Sequence, residues 1–323
     1  MRIELLNQSK YRHGDRPGDD VPLVMPGMVF GVFDGATDAR GTMIGGMAAG
    51  RLAALTVSAE MAALALDPAS RSMPADDLID RLSKALHLRA SALDLPIPPS
   101  TTVAVALDCG CDWRFLLLGD SGVRINGTET LRREKLIDRV STLARVRLFN
   151  LFSDLHDTPD AVEFATRRGI LLGLDQAEED RVLSSETTRG IIAEVITTLR
   201  LDAHSEIVDD FLRGGIQTQH RLGNTVGPLS FDTMTGTRPR LGEVIDVTRP
   251  KESVRSIEIF SDGYPDMPDA VAAAAWEEAF HAAERDDYHK TGHFATVKGS
   301  TTTEFFDDRT ILVLADMQDM GVS

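Results

Sequence analysis

The chain has 323 residues, with 34 Lys+Arg against 50 Asp+Glu and a formal net charge of −16. Its 42% hydrophobic and 26% charged content suits a protein that buries a sizeable core, which excludes disorder of the whole chain. An acidic surface repels phosphate backbones and anionic headgroups, so nucleic-acid and membrane partners are disfavoured.

In chain order, residues 2–7 are expected to form a strand and residues 8–22, rich in Gly, Pro and Asp, a loop. The run Met28-Val-Phe-Gly-Val-Phe33 predicts a buried strand. Residues 42–66 have helical composition with a Gly-rich start at Gly45-Gly46, and 75–93 predict a second helix, stopped by the prolines that follow. Strands are expected at 101–107 and 113–118, joined by a hairpin link. That link holds Cys109 and Cys111, the only cysteines, too few for a disulfide framework or a zinc site.

A short strand at 123–126 precedes the turn signal Asn126-Gly127. Residues 132–212 mix apolar and charged residues at helical spacing and predict a helical insertion within one domain spanning 1–323. Loops with short strands are expected over 214–242, and strands at 243–248 and 256–260. A helix over 268–284 and a strand over 309–315 complete the chain. The N-terminus lacks an apolar signal core and no long apolar run occurs, so the expected location is cytoplasmic.

Three Asp residues share one context, the C-terminal end of an apolar strand beside Gly or Ser. They are Asp34 (VFGVFDG), Asp120 (FLLLGDS) and Asp262 (IEIFSDG). Asp307 stands just before the last strand, and Asp19 and Asp20 lie ahead of the first apolar one. Strand ends hold side chains firmly, and small neighbours admit a ligand. Carboxylates that converge without Lys or His partners repel one another, and a hard divalent cation such as Mg²⁺ or Mn²⁺ is the natural compensation.

The order GVFDG, STTVAVAL, FLLLGDSG, IFSDGY, DDRTILVL resembles the PP2C-type (PPM) metal-dependent Ser/Thr protein phosphatases, as a divergent bacterial-type member. The resemblance spans about residues 10 to 315. It implies an α+β fold, an α-β-β-α sandwich of two antiparallel sheets flanked by helices. It also implies Mn²⁺ or Mg²⁺, two or three ions, held by Asp20, Asp34, the Gly35 carbonyl, Asp120, Asp262 and Asp307. Asp34 resembles the residue that bridges two metals, and Asp120 the one that supports a third. The implied activity is hydrolysis of phosphoserine or phosphothreonine in a protein substrate, by a metal-bridged hydroxide attacking phosphorus.

Some positions depart from the family pattern. The loop after Asp34 reads Gly-Ala-Thr-Asp, without a His general acid or a Gly pair. The GDS motif continues into Gly122 rather than Arg. Arg16 is the choice for a phosphate-binding Arg, with Arg12 as the alternative. Two other functions share these residues: a regulatory pseudophosphatase module, and a phosphatase of a small phosphorylated metabolite.

Overall fold

The computed structural model describes residues 1–14, 16–36, 40–93, 95, 97–240 and 242–316. Strands β1 (Arg2–Gln8), β2 (Val21–Met25) and β3 (Val29–Phe33) lead into a short pair, β4 (Met43–Ile44) and β5 (Met47–Ala48). Helices α1 (Ala49–Ala65), α2 (Pro68–Arg71) and α3 (Ala75–Ser91) follow. Then come β6 (Val103–Asp108), β7 (Asp112–Leu118), β8 (Gly122–Ile125) and β9 (Glu129–Leu131). The helices α4 (Leu136–Phe152), α5 (Pro159–Leu172), α6 (Leu174–Glu179), α7 (Ser185–Leu199) and α8 (Ser205–Gly214) form the next stretch. The chain continues through β10 (Ile245–Pro250), β11 (Ile257–Phe260), α9 (Ala273–Asp286) and β12 (Arg309–Ala315).

Two five-stranded antiparallel sheets result, ordered β1-β12-β11-β8-β9 and β10-β7-β6-β3-β2. Alternation along each strand sorts its side chains to opposite faces. Phe30, Val32, Ala104 and Phe115 of one sheet share an apolar cluster with Ile259 and Leu312 of the other, so the sheets pack face to face. From the same strands, Val29, Phe33, Val105 and Leu116 point the other way, against Val57, Met61 and Leu82 of α1 and α3. On the far side, Ile311 and Val313 pack against Trp276 and Phe280 of α9. The fold is thus α+β, with the two sheets between helical layers. β3 reads as an unbroken apolar run because both its faces are covered.

Helices α4 to α8 share an apolar cluster of their own, including Val140, Leu148, Ile170, Val195 and Phe211. Arg145, fully buried on α4, pairs with Glu163 of α5 and donates to the carbonyls of His289 and Lys290. This ties the helices to the segment preceding β12. A buried guanidinium is tolerated there because its partners replace lost water. Among the described residues no helix is long and apolar enough to cross a membrane.

Helix α7 starts at a side-chain cap, with Ser184 Oγ accepting from the Thr187 N–H at 3.1 Å. Ser184→Ala should lower unfolding stability by about 1 kcal/mol, read as a lower urea midpoint at unchanged slope.

Several elements differ from the sequence expectations. Residues 43–48 form the β4-β5 hairpin rather than the start of a helix, because Gly45 and Gly46 both take positive φ, 58° and 84°, at its tip. β2 falls inside and beyond the stretch expected as a loop. Its Pro22 is tolerated on an edge strand, where no partner needs the missing N–H. β9 is an added strand after the Asn126-Gly127 turn, whose residues have φ of 56° and 71°. Helix α9 begins at Ala273, later than the prolines suggested. No strand is formed among the described residues of 214–242. Thr37 and Asp38 of the loop after Asp34 lie outside the described residues, as does the tail after Asp316.

Candidate functional site

The sheet topology brings the strand-end carboxylates to one edge. β2 runs antiparallel to β3 with Val21 opposite Phe33, so Asp20, just before β2, stands beside Asp34, just after β3. β3 and β7 both run antiparallel to β6, so their C-terminal ends, leading to Asp34 and Asp120, lie on the same side. In the other sheet Phe260 pairs with Ile311, which places Asp262 beside Asp307. A hydrogen bond joins the two edges, from Thr310 Oγ1 on β12 to Asp20 Oδ2 at 2.8 Å.

Asp34 is fixed through its main chain. Its N–H donates to Thr102 Oγ1 at 3.1 Å, and its carbonyl accepts from the Thr102 N–H and Thr101 Oγ1, both at 2.8 Å. Thr102 Oγ1 lies 2.7 Å from Ser121 Oγ, linking this turn to the one that carries Asp120. Gly35 is required by packing. A Cβ there would run into the backbone of Gly50 in the first turn of α1, so the turn can lie directly on the helix.

The electrostatics follow from this crowding. Burial, then the charges of Asp262 and Asp20, push the Asp34 carboxyl well above its ordinary range. Burial followed by the Asp308 charge raises Asp20 to about 7, and burial followed by Asp120 and Asp307 raises Asp262 to about 7. The Asp262 charge is the largest single charge raising Asp34, so the two carboxyls cannot both ionise without compensation. Asp20 Oδ1 is buried and accepts no hydrogen bond.

The expectation that these carboxylates lack basic partners is corrected by the structure. Lys135 Nζ lies 2.8 Å from Asp120 Oδ2, and Lys298 Nζ lies 3.1 Å from Asp307 Oδ2. Burial pushes Asp120 up, but Lys135 more than offsets it and the carboxyl titrates below its usual range. Lys10 sits behind the cluster, bonded to Asp308 Oδ2 at 3.0 Å and 3.5 Å from Asp19. Asp308 also accepts from the main-chain N–H groups of Lys10 and Asp19, at 2.8 and 3.0 Å, which pins the loop carrying Asp20.

Sequence reasoning missed Asp138, Lys135 and Lys298. Asp138, in the first turn of α4, is raised to about 6, chiefly by burial and against the pull of Lys135. No local pattern marks these residues, because loops and a helix start bring them in. Of the Arg candidates, Arg12 is used inside the fold. It donates to the Thr301 carbonyl at 2.8 Å and to Glu284 at 3.2 Å, and it stacks on Phe305. Arg16 is exposed, over the Tyr11 ring.

The all-oxygen donor set, the orphaned Asp20 oxygen and the excess of carboxylates over lysines fit a hard divalent cation near Asp34, Asp262 and Asp307. The described residues include no group of three or more His, Cys, Asp or Glu side chains already closed into a metal site.

No protein-family model and no curated protein matches the chain. Among solved structures it is similar to a bacterial serine phosphatase, at 11% identity and a TM-score of 0.46, with 98% of each chain covered. It is also similar to the serine/threonine phosphatase PstP/Ppp of Mycobacterium tuberculosis, at 15% identity and 0.43, with 97% of each covered. Stp1, a serine/threonine phosphatase of Staphylococcus aureus, is similar at 12% identity and 0.46, over 98% of this chain and 94% of that one.

Proposed function

We propose that the chain is a metal-dependent phosphatase of PP2C type, acting on phosphoserine or phosphothreonine in a protein. In this reading residues 1–323 are one phosphatase domain and 132–212 a helical insertion within it. The observation that carries it is the gathering of Asp20, Asp34, Asp262 and Asp307 at one joined edge of two sheets, where burial and the neighbouring charges raise the proton affinity of Asp34, Asp20 and Asp262. Such a cluster is costly unless cations occupy it.

Asp34, Asp262, Asp307, Asp20 and the Gly35 carbonyl would hold Mn²⁺ or Mg²⁺. When bound, the ions supply Lewis acidity, acidifying the attacking water and offsetting phosphoryl charge. Thr101 and Thr102 keep Asp34 aimed by holding both its main-chain polar groups. Thr310 orients Asp20 through Oδ2, which leaves Oδ1 for an ion. Lys298 shields Asp307 until a cation takes over the carboxylate. Arg16, exposed at the end of the loop before Asp20, would contact the substrate phosphate.

The test is phosphate release from p-nitrophenyl phosphate and from a phosphothreonine peptide, with Mn²⁺, Mg²⁺ or chelator. Turnover of both substrates that needs the metal is the expected result. Turnover that persists in chelator, or none under any condition, contradicts the reading.

A further inference from the structure

We propose that the ammonium of Lys135 is a built-in cation at the Asp120 corner of the cleft and takes the place of a third metal ion there. The inference rests on the phosphatase reading for the other ions, but its own evidence is the geometry around Asp120.

Lys135 is the residue immediately before α4, so a helix start fixes its backbone. Its Nζ lies 2.8 Å from Asp120 Oδ2, and the two side chains are 17% and 9% exposed. The same ammonium sits 5.5 Å from the centre of the Phe231 ring, a cation–π distance. Three residues before Lys135, Arg132 Nε donates to the Asp120 main-chain carbonyl at 2.8 Å. One short segment therefore grips both the main chain and the carboxylate of Asp120.

This differs from the other lysine of the cluster. Lys298 meets Asp307 at 3.1 Å with 27% and 24% exposure, where water can replace it when a metal binds. At Asp120, a divalent ion would have to displace a largely buried ammonium. That ammonium would then lose its 2.8 Å partner and lie beside a second positive charge, with Asp138 the main opposite charge left to compensate, which is unfavourable. A tethered cation also needs no free metal to stay in place. It keeps one positive charge in the cleft of a chain whose net charge is −16, where a phosphorylated substrate would otherwise be repelled.

The experiment counts bound Mn²⁺ by titration calorimetry and by electron paramagnetic resonance of the free ion. It compares wild type, Asp120→Asn and Lys135→Gln. Asp120→Asn should bind as many ions as wild type, and Lys135→Gln should bind one more, weakly. An Asp120→Asn protein that binds one ion fewer overturns the proposal, as does a Lys135→Gln protein that gains none. A second measurement uses chelated protein, where melting temperatures of both single variants and the double variant form a cycle. The double variant should melt higher than the sum of the single losses implies, because it removes both members of the buried pair rather than leaving one of them alone. Additive losses overturn the proposal, and this arm still decides if Lys135→Gln alone fails to fold. Should wild type bind no Mn²⁺ while the cycle is non-additive and Lys135→Gln gains a site, the two-metal reading fails and the built-in cation stands.

Discussion

Replacing Asp34 with Asn is expected to lower Mn²⁺-dependent phosphate release by about 10³-fold, with no loss of folding. The side chain stands where the charges of Asp262, Asp20, Asp307 and Asp120 converge. A ligand at such a point contributes to ion binding and to the field at the phosphoryl group together, so its loss is felt twice. The fold tolerates the change because Thr101 and Thr102 bond the main chain of residue 34 and not its carboxylate. In chelator the effect reverses sign: Asn removes one repelling carboxylate, so the variant should melt above wild type. A variant that keeps its turnover, or that melts lower in chelator, contradicts this account of the site.

The second large effect is a pH dependence of stability that metal abolishes. Folded Asp20 and Asp262 titrate at about 7 and Asp138 at about 6, whereas an unfolded Asp titrates near about 4. Between those values the folded chain holds protons that the unfolded chain has released. Stability is therefore greatest in acid and falls as pH rises through about 7. The loss is on the order of a few kcal/mol, or about 5 °C or more in melting temperature between pH ~5 and ~8. Mn²⁺ competes with these protons, so it should raise the melting temperature far more at the higher pH. Asp262→Asn should flatten the profile, which separates the cluster from the general charge of an acidic protein. A chelated wild type whose melting temperature is level or rises over this range contradicts the assignment.

How far the sequence reaches is clear from particular residues. Asp34, Asp120 and Asp262 were legible because each ends an apolar run that only a doubly covered strand explains, and strand direction then brings them together. Asp20 was harder, since the strand it precedes contains Pro22 and sits at a sheet edge. The Gly45-Gly46 tip looked like the start of a helix because composition is a weak guide where two positive φ angles close a hairpin. Lys135, Lys298 and Asp138 were not legible at all. Their positions depend on how α4 and the segment before β12 are anchored, through contacts such as Arg145 with Glu163, and no local spacing encodes such anchors. The premise that the carboxylates stand alone failed for that reason. Repulsion in the cluster is real, but part of it is met by lysines drawn from distant segments.

The most direct measurement is a crystal structure of the protein soaked in Mn²⁺, with data collected for the anomalous signal of manganese. The account predicts manganese peaks bounded by the carboxylates of Asp34, Asp262 and Asp307. Crystals that bind no manganese among these residues at saturating metal would contradict it.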